Sequence, residues 1–397
     1  MVDSQDTVLA DATDFVVPST VGSLDRDWSN MDFEPAELIL NLADVKYIEI
    51  ASLVYLIALV ESRRRVGLRT TIRLPQSKDV RDLMRSWFFQ NAIESVTRTR
   101  LHQLVDPRDL RFFGENPDIR EQKYVGTVMT DNAGVDHRVL GTRYFPMFAY
   151  TQGEVQFSSN LAHASAQEWR QEHISKVVTS QVAESLSRNV ICEALKNALS
   201  HPNASSIILA SQLDPAGHLL TMIVWDDGYS IVDTLLEALR TTGSIYFTGA
   251  PRLSVRNEVV CEDPHGNRSE PKEWVSDYVP DLDTPHEIVL LSSTFPGITR
   301  DTKGLPVADR EGGGAGVSVP GMGLYLLTNA AVDTYGGEVA IRTREFFMNM
   351  KQGEGENDAC HHQVKIKRYE YANRFLGNMV TVRIPVGEGV SRGGRRK

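Results

Sequence analysis

The apolar positions near the beginning of the chain follow an alternation of predicted strands and helices. Aliphatic runs at 36–42, 45–50 and 70–74 predict strands, and periodic patterns at 52–65 and 77–90 predict helices. Because the connections between these elements are short, they predict a small α/β layer.

A second and longer pattern begins at about residue 162. The chain is expected to be helical through residue 199 with a break near Ser175, and Pro202 stops the last of these helices. Further helices are expected at 231–240 and after a Gly-rich stretch, ending at about residue 332. The predicted strands are 205–211, 218–225, 287–291, 338–342, 363–368 and 379–384. These elements favour a mixed sheet with helices on one face.

Composition and charge exclude several classes of function. The chain has 397 residues, and its 42 Lys and Arg against 52 Asp and Glu give a net charge of −10. This balance argues against a general nucleic-acid-binding surface, because such surfaces are basic. The basic segment 389–397 is the exception, and we expect it to be a flexible solubilising tail.

Cysteine usage and hydropathy bear on the compartment. The chain has three cysteines, too few and too scattered for a disulfide framework, and its first residues are polar and acidic, unlike a secretory signal. The most apolar predicted helical stretch, 53–60, is too short to cross a bilayer. We therefore expect a cytoplasmic protein without a membrane partner.

The helix predicted at the centre of the chain carries candidate chemistry. Glu193, Asn197 and His201 lie one helical turn apart and would share one stripe of its surface. The opposite side is apolar and is formed by Ile191, Leu195 and Leu199. On this helix alone, a functional stripe and an ordinary solvated helix face are both open interpretations.

Two later stretches favour the functional interpretation. Residues 222–231 form an apolar strand that runs into an acidic Gly turn, and residues 312–327 form a Gly-rich loop that runs into a helix. Together and in this order, the three stretches resemble the ATP-binding motifs of the GHKL (Bergerat-fold) superfamily, which includes gyrase-type ATPases, histidine kinases and anti-sigma-factor serine kinases. The resemblance implies a two-layer α/β sandwich over 162–388, with a long ATP lid at about 242–319.

The resemblance also implies roles for the acidic Gly turn. Asp226 would accept a hydrogen bond from the adenine amino group, and Gly228 would let the backbone approach the base. Ser230 stands where the family has a second glycine. Asp227, where the family often has Asn, is expected to be solvated. Near the end of the chain, Gly377 and Asn378 stand where the family often has a Gly-Thr pair near adenine. The glycine of that pair is present, and Asn378 replaces the threonine.

The central helix and the Gly-rich stretch would bind the phosphates. By resemblance Asn197 is a Mg²⁺ ligand, Glu193 is the general base, and His201 holds the phosphate end of the site in place. The Gly-rich stretch would receive phosphate oxygens on its backbone N–H groups and at the start of the following helix. Its expected contacts are Gly316, Gly321, Met322 and Gly323.

The beginning of the chain resembles a second family. The stretch from Ile39 to Leu53 is similar to STAS domains, the fold of anti-sigma-factor antagonists, and the likeness covers about 32–95. The phosphorylated serine of that family falls on Ala51, so the acceptor hydroxyl is missing, and Ser52 is expected to cap the following helix. We expect a STAS-like domain at 1–96 and a connector of unassigned role at 97–161.

Several functions remain open at this point. We favour a Mg²⁺-dependent ATPase whose lid closure switches the surface of a protein partner or homodimer. A protein-serine kinase of the anti-sigma-factor type and a non-catalytic nucleotide-gated adaptor are the alternatives. A histidine kinase is disfavoured, because no helical His is followed by an acidic residue and a nearby Pro. A metal site at Cys360, His361 and His362 is also disfavoured, because adjacent strand residues face opposite ways.

Overall fold

The computed structural model describes residues 13–31, 34–109, 125–130, 136–141, 147–176, 178–214, 219–247, 250, 253–300, 307–308, 317–318, 321–353, 361–371 and 375–386. The chain divides into two compact units. The first comprises Met1–Thr151 and Ala210–Ala216, and the second comprises Gln152–Leu209 and Gly217–Lys397. The segment expected to be a connector is therefore not a unit of its own, because most of it belongs to the first unit.

The first unit contains a three-stranded parallel sheet. Its strands are β1 (Thr13–Val16), β2 (Glu37–Asn41) and β3 (Arg69–Arg73), in the order β1-β2-β3. Three further strands follow, namely β4 (Val125–Thr130), β5 (Asp136–Gly141) and β6 (Phe148–Thr151). The helices are α1 (Val21–Ser29), α2 (Ile50–Arg65), α3 (Lys78–Ser86), α4 (Phe89–Thr97) and α5 (Leu101–Leu104). The predicted α/β class of this region is confirmed.

Some expectations for the first unit are wrong. The apolar run 45–50 is not a strand. Most of it is an irregular segment that leads into α2, and its Tyr47 and Ile48 side chains are buried in the core without strand pairing. The helix predicted at 77–90 is two helices, because Phe88 adopts a left-handed φ of 56° between α3 and α4. Ser52 is not a cap: it lies in the first turn of α2, fully buried, and its hydroxyl donates to the Ser19 carbonyl at 3.1 Å.

The second unit is built on a large mixed sheet. In chain order, its first elements are α6 (Ser159–Glu172), α7 (Ser180–Leu186), a π-helical turn at Ser187–Ile191 and α8 (Cys192–Ser200). Then come β7 (Ser206–Asp214), β8 (Leu219–Asp226), α9 (Ile231–Thr242), β9 (Arg256–Glu262), β10 (Lys272–Val275) and α10 (His286–Ser292). The last elements are β11 (Val307–Ala308), β12 (Val317–Ser318), α11 (Gly323–Thr328), a π-helical turn at Asn329–Thr334, β13 (Glu338–Thr343), β14 (Phe346–Gln352), β15 (His361–Arg368) and β16 (Asn378–Pro385).

The strand order of this sheet is β10-β9-β15-β14-β13-β16-β8-β7, and β11 pairs separately with β12. The pairing of β15 with β9 is parallel, whereas β14 with β15, β13 with β14, and β16 with β8 are antiparallel. Along β14, Phe346, Met348 and Met350 are buried beneath helices, while Asn349 and Lys351 face away from them. The π-helical turn at Asn329–Thr334 packs on β13, β14 and β16, and α8 packs on β8.

The segment expected to be a long lid, 242–319, contains two strands of the sheet and a helix among its described residues. Strand β9 pairs with β15 from Arg256 through Glu262, and β10 adds a further strand at the edge of the sheet. The strand predicted at 287–291 is wrong, since the segment forms α10. The prediction failed because a run of buried aliphatic residues has no periodicity that separates a helix from a strand. Residues 301–306, 309–316 and 319–320 lie outside the described residues.

Among the described residues, no helix combines the length and the apolar character that a membrane crossing requires.

Candidate functional site

Three polar residues form a row across neighbouring strands at one end of the sheet. The register pairs Asp226 of β8 with Asn378 of β16, and Asn378 with Thr343 of β13. All three are buried, and each is the terminal residue of its strand at this end of the sheet. The row therefore lies where the chain leaves the sheet for loops and helices.

The carboxylate of Asp226 is engaged on both oxygens. Its Oδ2 lies 2.8 Å from His201 Nδ1, and its Oδ1 accepts from the Gly228 backbone N–H at 3.0 Å and from Asn378 Nδ2 at 3.1 Å. The residue is 2% exposed. Asp226, Gly228 and His201, which were predicted to share a site, thus contact one another directly.

The orientation of the Asn378 amide is determined by its surroundings. Its Oδ1 accepts from the Ile231 N–H at 2.9 Å and from the Thr343 hydroxyl at 2.6 Å. Its Nδ2 donates to the Tyr229 carbonyl at 2.9 Å as well as to Asp226. The sequence marks Asn378 only as a departure from a motif; its role in holding Asp226 follows from the strand register, which no local pattern indicates.

Two glycines allow the backbone to approach this row. Gly377 has a φ of 75°, and a Cβ there would lie 1.7 Å from the Asp226 carbonyl oxygen. A Cβ on Gly228 would lie 3.0 Å from Asp226 Oδ1 and from His201 Cβ. A side chain at position 377 is therefore excluded, and one at 228 would crowd the carboxylate.

The neighbouring acidic residue has a structural role. Asp227 is 2% exposed, so the expectation that it is solvated is wrong. Its carboxylate accepts from the Ser205 N–H and hydroxyl, both at 2.6 Å, and from the Ser206 N–H at 2.8 Å. It satisfies backbone donors at the start of β7 and thereby attaches the chain after α8 to the end of β8.

Helix α8 presents the remaining predicted side chains. Of the predicted apolar face, Ile191 and Leu195 are buried and Leu199 is partly exposed, while Cys192 and Ala198 are buried in addition. Glu193 and Asn197 are partly exposed. His201 is the first residue after the helix, with an extended ψ of 136°, because Pro202 follows it. A π-helical turn precedes α8, a feature that is frequent at functional sites and that the sequence pattern does not reveal.

The position of the family's second glycine has a different function in this chain. Ser230 is the N-cap of α9, and its hydroxyl accepts from the Asp233 N–H at 2.9 Å and donates to the Asp233 carboxylate at 2.7 Å. Ser230 therefore positions the helix that follows the Asp226 turn, and its side chain is occupied by that capping role.

The second glycine turn packs on α8. Gly321 has a φ of 77°, its carbonyl accepts from the Gly297 N–H at 3.0 Å, and Met322 follows as the N-cap of α11. A Cβ on Gly323 would lie 3.0 Å from Asn197 Oδ1 and 3.3 Å from Glu193 Oε2. The structure thus brings Glu193 and Asn197 together with Gly321 and Gly323, whereas Gly316 lies outside the described residues.

Two polar features of α8 bear on its chemistry. Glu193 forms an ion pair with Lys196, Oε1 to Nζ 3.1 Å, and its side chain is 18% exposed. Asn197 Nδ2 is fully covered and has no hydrogen-bond partner among the described residues. A buried amide without a partner costs folding free energy, so its presence indicates a ligand or water at this position.

A cavity of about 130 Å³ opens between these elements. Helix α8 contributes Asn197, Ser200 and His201, and the opposite walls contain Thr234, Ser293, Arg300, Gly321 and Gly323, among others. A second cavity of about 930 Å³ shares Thr234 and Arg300 with it. The smaller volume suits part of a ligand, and the larger is within the usual range for a whole one.

Arg300 is the site residue that the sequence analysis missed. Its guanidinium donates to the Ser200 carbonyl at the end of α8 and lines both cavities. The segment before the Gly-rich stretch also contains Lys303 and Arg310, so no local pattern in the sequence distinguishes Arg300.

The disfavoured metal interpretation concerns β15. His362 is buried and lies 2.9 Å from Asp333 Oδ1 and 3.2 Å from Asn257 Oδ1, while His361 is on the other face of the strand. Cys360 lies outside the described residues. Within the described ranges, no group of three or more His, Cys, Asp or Glu side chains is arranged to hold a metal ion.

The residues of this site come from distant parts of the second unit, yet they converge on the cavity beside α8. Comparison of the chain with known protein families, with curated proteins and with solved structures finds no match.

Proposed function

We propose that the second unit binds ATP with Mg²⁺ and hydrolyses it, and that the nucleotide state alters the surface offered to a protein partner or a second copy of the chain. The observation that supports this most directly is the packing of Gly323 against Asn197 and Glu193. The amide of Asn197 and the glycine turn then line one cavity, and the Glu193 carboxylate lies beside that turn, an arrangement that suits a bound nucleotide triphosphate.

The donor set suits magnesium. Mg²⁺ prefers oxygen ligands, keeps several waters and binds protein through one or two groups besides the substrate phosphates. Asn197 lines the smaller cavity and lies at the glycine turn, so its amide oxygen would be accessible to such an ion when the side chain adjusts. Asn197 is accordingly the residue that would hold the metal, whose charge would neutralise the phosphates.

Glu193 would act as the base. It lies one turn before Asn197, it is paired with Lys196, and its other oxygen faces the Gly323 turn. An ionised carboxylate that is partly exposed and next to the expected phosphate position can accept a proton from an attacking water. Phosphorylation at the position of the STAS acceptor serine is disfavoured, since Ala51 lacks a hydroxyl and the neighbouring Ser52 hydroxyl is buried.

The decisive experiment is incubation of the full chain with γ-labelled ATP and Mg²⁺, with EDTA in a parallel sample. We expect the label to appear as free phosphate in a Mg²⁺-dependent manner. Label transferred to protein would favour a serine kinase instead. Binding measured by calorimetry without any turnover would favour a nucleotide-gated adaptor, and the absence of binding would contradict the whole proposal.

A further inference from the structure

The Asp226 carboxylate is directed towards protein groups and not into the cavity. Its contacts are His201 Nδ1, the Gly228 N–H and Asn378 Nδ2, and the residue does not line either of the two cavities beside it. His201 does line the smaller one. A nucleobase bound in that cavity would therefore contact the His201 imidazole and not the Asp226 carboxylate.

The hydrogen bonds determine which nitrogen of His201 carries the proton. A carboxylate only accepts, so the 2.8 Å contact with Asp226 Oδ2 places a proton on Nδ1. Asn378 Nδ2 is also 3.1 Å from Nδ1, but its two hydrogens are directed to Asp226 and to the Tyr229 carbonyl. When the ring carries this one proton, its lone pair is on Nε2.

The other ring nitrogen is available to a ligand. Within the described part of the chain, Nε2 of His201 has no hydrogen-bond partner, and it is not among the fully covered polar atoms. The side chain is 14% exposed. A single acceptor nitrogen, held in place through Asp226 and Asn378, thus faces the smaller cavity.

We propose that His201 reads the base of the nucleotide: Nε2 accepts a hydrogen bond from the exocyclic 6-amino group, and Asp226 is a positioning residue that acts through the imidazole. This inference rests on the proposed nucleotide site. It assigns the site to 6-aminopurine nucleotides, because a 6-oxo group would direct an oxygen lone pair at the nitrogen lone pair. A site built to hydrogen-bond one group rejects an analogue that lacks it.

The test compares three triphosphates by calorimetry at one Mg²⁺ concentration and neutral pH. They are ATP, purine riboside triphosphate, which has no substituent at position 6, and inosine triphosphate, which has an oxygen there. We expect the wild-type chain to bind ATP at least about tenfold more tightly than either analogue, in line with the loss of a buried hydrogen bond.

The discriminating variant is His201→Phe, which keeps a ring but removes the acceptor. It should bind ATP and purine riboside triphosphate with similar affinity, so the preference of about tenfold or more should disappear. His361→Phe is the matched control, since His361 lies on the outward face of β15, and it should keep the wild-type preference. Persistence of that preference in His201→Phe would overturn the inference while leaving the ATP site intact.

A second measurement does not depend on a variant that folds. In ¹⁵N spectra of the wild-type histidines, one ring protonated on Nδ1 should change its Nε2 resonance when ATP binds and not when purine riboside triphosphate binds. The same Nε2 change with both nucleotides would overturn the inference. If the wild-type chain binds none of the three nucleotides, the proposed function fails together with it.

Discussion

Gly323 and Asn197 are in contact without a hydrogen bond. A Cβ built on Gly323 would lie 3.0 Å from Asn197 Oδ1 and 3.1 Å from Asn197 Nδ2. These separations are tighter than ordinary van der Waals contact, so the glycine is required by the close approach of the α11 turn to α8 and not by its own φ.

Gly323→Ala should therefore weaken nucleotide binding without unfolding the chain. The added methyl group must displace the Asn197 side chain or the glycine turn, and we expect Mg²⁺·ATP affinity to fall by about tenfold or more. Alanine is otherwise preferred to glycine in a helix by up to about 1 kcal/mol, which limits the loss of stability. The control is Gly22→Ala in α1, where nothing lies within 4 Å of the new Cβ. Unchanged affinity in Gly323→Ala would contradict a ligand role for this turn.

Asn378 should contribute to stability as well as to the site. Asn378→Ala removes the donor to the Tyr229 carbonyl and leaves the Ile231 N–H with only its longer contact, 3.3 Å, to the Thr343 hydroxyl. We expect the free energy of unfolding to fall by roughly 2–4 kcal/mol, measured by urea denaturation. Asn349→Ala, on the outward face of β14, is the matched control and should change it by less than about 0.5 kcal/mol. Equal effects of the two substitutions would rule out the network.

Local patterns predicted the elements that carry their own signals. The apolar periodicity of α8 and the Pro after it, the apolar strand before Asp226 and the position of α9 are confirmed. These features depend on residues within a few positions of one another. Gly323 packs against α8, whereas its predicted contact with phosphate oxygens stays a prediction.

The features that the sequence did not predict depend on contacts between residues that are distant along the chain. Asp227 is buried because Ser205 and Ser206 donate to it, and nothing in its own neighbourhood distinguishes it from a solvated turn residue. Strand β9 pairs with β15, about a hundred positions later in the chain. Because its partner is so distant, the sequence around 256–262 does not indicate a strand. Residues 288–291 are all aliphatic and buried, so they lack the periodicity that separates a helix from a strand.

In the first unit, Asp106 should give stability a defined pH dependence. Hydrogen bonds from the Arg108 guanidinium, at 2.8 and 3.0 Å, hold the pKa of the Asp106 carboxyl below its ordinary value. A carboxyl with a lowered folded-state pKa stabilises the fold above its unfolded pKa, about 3.9, and this contribution is lost as the pH falls through the folded-state pKa.

Asp106→Asn should consequently lower the urea midpoint of the first unit at pH 7, and the difference from wild type should shrink below about pH 4. Arg108→Met should behave in the same way, because it removes the other partner of the same interaction. Arg108 is largely exposed, so solvent screens the interaction and the effect at pH 7 should be modest. A difference that is constant from pH 7 to pH 3 would contradict the pKa shift as its origin.

Glu193→Gln separates catalysis from binding. The substitution keeps the shape of the side chain and leaves Asn197, the Asp226 network and the glycine turn in place, so calorimetry should show nearly normal ATP affinity. Turnover should fall by roughly a hundredfold to ten-thousandfold, the usual contribution of a positioned base, as measured by phosphate release. The matched control is Glu184→Gln, an exposed carboxylate on α7, which should retain wild-type turnover. The Glu193→Gln protein should also accumulate any state that ATP induces, because the nucleotide persists. Real turnover that is unchanged in this variant would show that another group acts as the base.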